Sequence, residues 1–239
     1  MCAICGIVRP NAAGERERVE RANARMMHRG PDDGGMWPGD GCCLGARRLA
    51  IIDLSAAGHQ PMASADGRHV IVFNGEIYNF EHLRAALGSG VSFRGRSDTE
   101  VLLHAVRVWG FDETVRRAHG QFALAVWDTE RRTLRAARDR AGKKPFFYAH
   151  EGASFAFAST LNALLELLPT RPRVNALAID AYLTCQAVPA PLSVWQGVQA
   201  LPPAHWLAFD ATTGSCRIER YWDVSYAKKT SMTEEEVLG

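Results

Sequence analysis

The sequence predicts an α+β fold in which antiparallel β-sheets are covered by helices. Short strand-like runs separated by turns follow one another between residues 121 and 158, a pattern typical of an antiparallel meander. Helical segments stand before and after them, and the order strand, helix, strands, helix does not fit a parallel βαβ sheet. With 239 residues, the chain is long enough for one large domain or two small ones and can bury a sizeable core.

The first helix is predicted over residues 15–28, because apolar residues recur there at helical spacing. These apolar residues are Val19, Ala22, Met26 and Met27. The Gly- and Pro-rich stretch that follows, residues 30–35, is predicted to be a loop.

Two further helices are predicted from their end signals. Ser97 and Glu100 form a capping-box pattern ahead of an apolar run that ends at Gly110. Asn175 is predicted to cap a helix that reaches Cys185.

Strands are predicted from β-rich runs. The chain begins with alternating residues that look like a strand, and the run from His69 to Phe73 is predicted to end in a turn at Asn74-Gly75. The strands of the meander are predicted at residues 121–128, 134–138, 145–150 and 154–158, and a late hairpin at 206–209 with 216–221.

Composition excludes several classes of protein. Hydrophobic residues make up 47% and charged residues 23% of the chain, near globular averages, and a net charge of +2 gives no argument for nucleic acid. No apolar run approaches the roughly 20 residues that span a bilayer, and the first residues lack the basic leader of a signal peptide. We therefore expect a cytoplasmic protein that binds neither a membrane nor nucleic acid.

The cysteines do not indicate a disulfide framework or a metal site. Cys2 and Cys5 form a C-x-x-C pair, but zinc needs a second ligand pair, and Cys42-Cys43 lacks the usual spacing. A redox C-x-x-C usually lies at the junction of a strand and a helix, whereas this pair opens a predicted strand. No metal is expected.

Cys2 is the residue with the most direct chemical meaning. Removal of Met1 would leave a thiol and a free α-amine on one residue, with ordinary pKa values of about 8.5 and about 7.7–8.0. An N-terminal amine can activate its own side chain as a nucleophile. A cysteine at position 2 is by itself weak support, because most such residues are incidental.

Other residues supply what a thiol that hydrolyses an amide needs. Asn74 and the backbone N–H of Gly75 could form an oxyanion hole, although a plain hairpin turn explains the dipeptide equally well. Arg48 could pair with a carboxylate, and Glu76 or Asp98 with an ammonium group. The alternatives are a surface charge for Arg48 and a helix-start residue for Asp98.

A series of motifs resembles a known family. In order they are residues 1–8 (MCAICGIV), 29–32 (RGPD), 48–53 (RLAIID), 58–62 (GHQPM), 73–79 (FNGEIYN), 97–100 (SDTE), 139–145 (DRAGKKP), 201–205 (LPPAH) and 220–222 (RYW). The chain resembles the glutaminase domain of glutamine-hydrolysing asparagine synthetases, a class II glutamine amidotransferase. The resemblance covers nearly the whole chain.

The resemblance implies a fold and a set of roles. The fold is the four-layer α/β/β/α sandwich of the N-terminal-nucleophile hydrolases. Cys2 would be the nucleophile and its free amine the general base, with Asn74 and Gly75 as the oxyanion hole. Substrate glutamine would be held by residues of one pocket, which are Arg48, Ile51, Ile52, Asn74, Gly75, Glu76 and Asp98. Residues 29–32 would form a loop near the nucleophile with no assigned task.

The resemblance also implies where the domain ends and what a further domain would contain. Residues 1–225 would be the glutaminase domain and residues 226–239 a linker or the start of a synthetase domain. The Ser-Gly-Gly-x-Asp-Ser loop of the ATP-pyrophosphatase domain is absent, so ATP and magnesium are expected only in such a domain, in cis or in trans. A homodimer is compatible with this. Ala3 and Ala46 depart from the family pattern, and we expect modest packing effects from them.

Three functions remain open at this point. The first is ammonia supply to an asparagine synthetase, and the second is the same glutaminase serving another carboxylate in a natural-product pathway. The third is a non-catalytic regulatory domain, which retention of Met1 would favour because a blocked amine cannot act as a base.

Overall fold

The computed structural model describes residues 1–10, 12–225, 232–233 and 235–236. Within them, two six-stranded antiparallel sheets face each other. The first sheet has the order β10-β8-β9-β1-β3-β2. Its strands are β1 (Ala3–Val8), β2 (Asp33–Gly39), β3 (Cys42–Arg48), β8 (Phe147–Glu151), β9 (Ser154–Ala158) and β10 (Val198–Ala200).

The second sheet has the order β12-β11-β7-β6-β5-β4. Its strands are β4 (Met62–Ala63), β5 (His69–Ile77), β6 (Gly120–Asp128), β7 (Thr133–Arg138), β11 (His205–Asp210) and β12 (Cys216–Arg220). β11 and β12 pair antiparallel, which confirms the predicted late hairpin.

Helices cover the outer faces of both sheets. The helices are α1 (Arg16–Arg25), α2 (Phe80–Ala86), α3 (Asp98–Trp109), α4 (Phe111–Arg117), α5 (Leu161–Leu167) and α6 (Ala176–Cys185). α1 and α5 pack on the first sheet, and α3, flanked by α2 and α4, packs on the second. The result is the four-layer α/β/β/α sandwich that the resemblance implies.

Three apolar clusters fill the spaces between these layers. The cluster between the two sheets includes Trp127, Phe146 and Phe157, each without exposed surface. Along β5, Val70 and Val72 belong to this inner cluster, whereas Ile71 and Phe73 belong to the cluster beneath α3. This alternation is the period of two that a strand buried on both faces requires. A third cluster lies beneath α1 and α5.

The predicted helix ends are partly confirmed. Ser97 accepts the N–H of Glu100 at 3.3 Å, and Gly110 ends α3 with a φ of 80°, which glycine adopts without strain. The carboxylate of Glu100 does not return to Ser97 but accepts the N–H groups of Arg94 and Gly95.

The other two predicted helices are confirmed with changes. α6 has its predicted bounds, but Asn175 donates to the carbonyl of Ser193 instead of capping the helix with its side chain. α1 ends at Arg25, three residues early, and Met27 beyond it is 51% exposed.

The predicted meander is wrong as a single unit. β6 pairs with β7 and β8 with β9, but the two hairpins belong to different sheets, and the chain crosses between them after Arg138. Local turn signals predict hairpins and contain nothing about which sheet a hairpin joins.

The predicted turn at Asn74-Gly75 is also wrong. Both residues lie inside β5, opposite Ala123 and Phe122 of β6. A Cβ at residue 75 would lie 2.2 Å from the carbonyl oxygen of Gln121. Glycine is therefore needed here because β5 and β6 approach closely, and not because the chain turns.

The predicted loop at residues 30–35 is only partly present. Asp33, Gly34 and Gly35 begin β2, an edge strand that pairs with β3. Register with β3 overrides the low strand propensity of glycine at this edge.

The expected C-terminal linker and the expected lack of a membrane span can be compared with the described residues only. Most of residues 226–239 lie outside them, although Thr233 and Glu236 hydrogen-bond reciprocally, as at the start of a helix. In the part of the chain that the structure describes, no helix has the length and apolar character needed to cross a bilayer.

Candidate active site

One cleft brings together most of the residues that the sequence singled out. Cys2, Arg48, Ile51, Ile52, Gly75, Glu76 and Asp98 all line it. The remaining lining residues are Leu49, Asp53, Gln60, Phe73, Ser97 and Thr99. The cleft therefore lies where the start of β1, the end of β3, the edge of β5 and the start of α3 meet.

Cys2 lies against the backbone of Leu49. Its Sγ donates to the Leu49 carbonyl at 3.7 Å and accepts the Leu49 N–H at 3.4 Å. Burial raises the pKa of the Cys2 thiol above its ordinary value, and the negative charges of Glu76 and Asp98 raise it further. A thiol in this environment needs a base to become a nucleophile near neutral pH.

Arg48 is 8% exposed at the end of β3, and backbone oxygens fix its guanidinium. Its Nη2 donates to the carbonyl of Asp53 and its Nη1 to the carbonyl of Ser55 at 3.3 Å. Within residues 1–10 and 12–225 no carboxylate forms an ion pair with Arg48. Arginine can pair with a carboxylate in a bidentate manner, so this charge is available to an acidic group in the cleft.

Asp53 holds the loop that carries these backbone oxygens. Its Oδ1 accepts the N–H and the hydroxyl of Ser55, and its Oδ2 accepts the N–H of Arg96 at 2.7 Å. These hydrogen bonds, together with the nearby positive charge of Arg48, lower the pKa of Asp53 to about 2. The loop after Arg48 is thereby joined to the segment that leads into α3.

Glu76 and Asp98 place two carboxyl groups in the cleft. Burial, with repulsion from Glu76, raises the pKa of Asp98 to about 7, although a hydrogen bond from the Ile77 N–H opposes this shift. Burial also raises the pKa of Glu76, and Lys144 opposes that change. Two desolvated carboxyl groups that repel each other are stabilised by a cation between them.

The edge of β5 leaves one backbone N–H pointing at the cleft. Phe73 donates to Oε1 of Gln60 at 2.7 Å, and Ile77 donates to Oδ2 of Asp98 at 3.0 Å. Gly75 lies midway between them, and alternate residues of a strand direct their N–H groups to the same side. Its partner Phe122 uses its own N–H and carbonyl toward Asp139, so Gly75 and Phe122 form a pair without hydrogen bonds. The Gly75 N–H therefore faces the cleft.

Asn74 carries a buried amide without a partner. The residue has no exposed surface, and neither Oδ1 nor Nδ2 makes a hydrogen bond to any described residue. Buried polar atoms are nearly always hydrogen-bonded, so both ends of this amide are available to a water molecule or a ligand. Asn74 is not itself a lining residue of the cleft but stands between two that are, Phe73 and Gly75.

The loop at residues 29–32 lies beside Cys2, as expected. Arg29 donates from Nε to the carbonyl of Cys2 at 3.3 Å, and Asp32 accepts the N–H of Ala50 at 2.9 Å. The loop thus holds the backbone on both sides of the Cys2–Leu49 contact.

Gln60 and Asp53 have no role predicted from the sequence, and Arg29 is predicted to lie near Cys2 without a task. All three stand inside motifs that were recognised, at residues 58–62, 48–53 and 29–32. No local signal marks their roles, because their hydrogen-bond partners become visible only in three dimensions.

Metal ligation has no support among the described residues. No group of three or more His, Cys, Asp or Glu side chains there is arranged to hold an ion. Cys5 is fully buried, and burial raises its pKa well above the ordinary range. It packs toward Gly45 and belongs to the cluster beneath α1, whereas Cys2 lines the cleft.

The fold and the cleft together define a class. A thiol directly before the first strand, with an arginine that forms no ion pair and two carboxyl groups beside it, fits an amidotransferase that acts on an amino-acid amide. Comparison with known families agrees: a model described as a glutamine amidotransferase domain matches residues 1–222. The chain belongs to this family of glutamine amidotransferase domains.

Curated relatives are longer than this chain. Asparagine synthetase [glutamine-hydrolyzing] 3 of Bacillus subtilis is 37% identical over 243 residues, which cover 99% of this chain and 39% of the relative. A putative asparagine synthetase of Methanocaldococcus jannaschii is 32% identical and covers 100% of this chain and 50% of its own length. A protein of Gibberella zeae called amidase chry2 is 31% identical over a match that covers 89% of this chain and 31% of the relative. The chain therefore spans about two fifths of the first relative and half of the second.

Solved structures show the same fold. Glutamine phosphoribosylpyrophosphate amidotransferase from B. subtilis superposes with a TM-score of 0.65 over 92% of this chain and 49% of that one. An allosteric regulatory enzyme of purine biosynthesis gives a TM-score of 0.66 with the same coverage. Sequence identities of 16% and 17% restrict this likeness to the fold.

Proposed function

We propose that this chain hydrolyses the side-chain amide of L-glutamine with Cys2 as nucleophile and passes the ammonia to a synthetase. The observation that carries the proposal is the content of one cleft. It holds a thiol, an arginine without a carboxylate partner and two carboxyl groups in need of a cation. These groups complement an α-carboxylate, an α-ammonium and a reactive side-chain carbonyl.

The substrate is held at its α-carbon end. Arg48 pairs with the α-carboxylate, because its backbone contacts to Asp53 and Ser55 leave other N–H groups free. Glu76 and Asp98 accept the α-ammonium, whose positive charge relieves their mutual repulsion. Ile51 and Ile52 line the wall of the cleft along the substrate.

The reaction proceeds through a thioester. The α-amine of Cys2, freed by removal of Met1, takes the thiol proton, and the thiolate attacks the amide carbon. The tetrahedral oxyanion is stabilised by the Gly75 N–H and the Asn74 amide. The amine returns the proton to the leaving nitrogen, ammonia departs, and a γ-glutamyl thioester remains. Water then attacks the thioester, which releases glutamate and restores the thiol.

Met1 is placed where processing can reach it. The residue is 58% exposed and lies two residues before the start of β1. Cysteine is small enough at the second position for a methionine aminopeptidase to act.

The proposed ammonia acceptor is aspartate, in an ATP-dependent asparagine synthetase. Relatives named asparagine synthetase match nearly the whole of this chain over their glutamine amidotransferase portion, which supports this acceptor. ATP and magnesium are assigned to a synthetase domain, in cis or in trans, and not to this chain. A homodimer and a cytoplasmic location remain predictions, and unpaired cysteines support the latter.

One surface supports a protein partner. α6 buries only Ala178, and its exposed apolar residues Ile179, Tyr182 and Leu183 share one face of the helix at positions i, i+3 and i+4. Clustered exposed apolar side chains mark protein interaction sites, and the relatives carry a further half or more of chain beyond the part that matches this one. We assign the α6 face to the synthetase domain.

The partner assignment has a direct test. The double variant Ile179→Glu/Leu183→Glu is expected to keep glutamate release while glutamine-dependent product formation by the synthetase falls. Val108→Glu is the matched control, because Val108 is 54% exposed on a different helix, α3. Equal synthetase coupling in both variants would contradict the assignment.

An alternative acceptor has one observation in its favour. The similarity to a fungal protein called an amidase shows that the same domain occurs in proteins with other names. Competition between aspartate and other carboxylates in the assembled enzyme decides between the two. Retention of Met1 in the purified protein would favour a non-catalytic role, and intact-mass measurement shows whether Met1 is retained.

A further inference from the structure

Gln60 links strand β5 to helix α3 from inside the cleft. Its side-chain Oε1 accepts the Phe73 N–H at 2.7 Å, and its Nε2 donates to Oγ1 of Thr99 at 3.2 Å. The residue is 4% exposed. Both ends of the amide are therefore satisfied in the interior, each by a different element.

Each partner of Gln60 is a neighbour of a proposed site residue. Phe73 directly precedes Asn74, and Thr99 directly follows Asp98. Along the edge of β5, Gln60 and Asp98 occupy the N–H groups on either side of Gly75. The side chains of Gln60 and Asp98 thus accept the N–H groups that a neighbouring strand would otherwise accept. The Gly75 N–H between them is left for the substrate.

The backbone around Gln60 is fixed to the other sheet. The adjacent His59 contacts Oδ2 of Asp33 through Nδ1 at 2.8 Å, at the start of β2. A Cβ at residue 35 would lie 2.2 Å from the Gln60 carbonyl oxygen, which shows how closely β2 approaches. Gln60 is thus supported from the sheet that carries Cys2, while its amide reaches the strand that carries Asn74.

We propose that Gln60 is a positioning residue that sets the distance between the oxyanion hole and the ammonium site. Its bond to Phe73 fixes the Asn74–Gly75 segment, and its bond to Thr99 fixes Asp98. The proposal rests on the proposed glutaminase function, in which these two groups act on opposite ends of the substrate. Misplacement of a supporting group by about 1 Å is known to cost up to about 100-fold in rate.

Three variants separate the two bonds. Gln60→Leu keeps the approximate volume and removes both bonds, so we expect kcat to fall about tenfold or more and KM for glutamine to rise about tenfold. Thr99→Val removes only the bond to α3, so we expect a raised KM with kcat within about twofold of the wild type. Gln60→Glu keeps the acceptor for Phe73, and we expect it to recover most of kcat.

A merely structural role predicts a different pattern. Gln60→Leu would then lower the melting temperature but leave kcat and KM unchanged well below it, and that result would overturn the proposal. A loss of kcat in Thr99→Val equal to that in Gln60→Leu would also overturn it, because the two bonds would not act separately.

One readout does not depend on activity. In Gln60→Leu the Phe73 amide is expected to exchange its hydrogen faster and the Gly75 amide resonance to move, whereas Thr99→Val leaves both unchanged. If the wild type released no glutamate, the proposed function would fail, and these amide measurements would still decide the positioning role. Unchanged protection of Phe73 in Gln60→Leu would refute it.

Discussion

Oδ2 of Asp98 accepts the backbone N–H of Ile77 at 3.0 Å, which holds a buried carboxyl group next to the strand residue that follows Glu76. The first turn of α3 is thereby joined to the edge of β5 at the cleft. The same edge presents the Gly75 N–H, two residues earlier. The hydrogen bond thus ties the site proposed for the substrate ammonium to the site proposed for its reacting carbonyl.

Glutamine affinity is predicted to weaken as the pH falls below about 7. Because the pKa of Asp98 is raised to about 7 in the empty site, protonated Asp98 must lose its proton to bind an ammonium. Affinity therefore falls by up to about tenfold per pH unit below that value. Calorimetry on Cys2→Ala between about pH 5.5 and pH 8 measures this without turnover.

The control for this prediction is Asp98→Asn, which should bind glutamine weakly with a much flatter pH profile. Unchanged affinity of Cys2→Ala across the range would show that Asp98 does not meet the ammonium.

Arg48→Lys is predicted to raise KM for glutamine about tenfold or more with little change in kcat. Lysine cannot reproduce a planar bidentate pair, and an anchor for the α-carboxylate acts equally in the ground and transition states. Steady-state kinetics give both constants. Arg47→Lys is the matched control, because Arg47 donates to the Asn23 carbonyl and lies outside the cleft. A purely kcat effect at Arg48 would exclude the assigned role.

Asn74→Leu is predicted to lose activity without losing stability. The amide has no partner in the structure, so replacing it by an apolar group of similar shape removes an unsatisfied buried group. The rate is expected to fall about 10²–10³-fold, as for other oxyanion-hole donors. Thermal unfolding should show an equal or higher melting temperature. A strongly lowered melting temperature would mean that the amide is structural.

Asp139→Ala is predicted to destabilise the protein by about 3 kcal/mol or more, because several buried donors would lose their acceptor. The carboxylate is 1% exposed and accepts the backbone N–H groups of Phe122, Ala141, Lys143 and Lys144. Urea unfolding measures the change.

Asp210→Ala is the comparison for this prediction. Asp210 also accepts several N–H groups, from Thr212 and Thr213, but in an exposed turn, so the expected loss is below about 1 kcal/mol. Equal losses in the two variants would show that burial does not set the cost.

The fold class could be predicted from local sequence patterns, and the residues of the cleft from the family resemblance. Strand signals and helix end signals are local, so the strands of the two central hairpins could be predicted closely from their β-rich runs, and helix α6 from Asn175 at its start. The gathering of Arg48, Glu76 and Asp98 around Cys2 came from the family resemblance, and the cleft confirms that they meet.

What the sequence missed depends on contacts between distant segments. Asn74-Gly75 has the composition of a turn, but pairing with Ala123 and Phe122 keeps it in a strand. Gln60 has no local pattern at all, since its two partners lie in different elements. Tertiary pairing decides both cases.

The most direct test of the account is glutamate release by the protein with Met1 removed, measured beside Cys2→Ala and Cys185→Ala. Cys185 is an exposed thiol outside the cleft and serves as the control. We predict full activity in Cys185→Ala, none in Cys2→Ala, and in acid-quenched wild type a covalent adduct with the mass of glutamine less ammonia. Glutamate release that survives in Cys2→Ala would contradict the account.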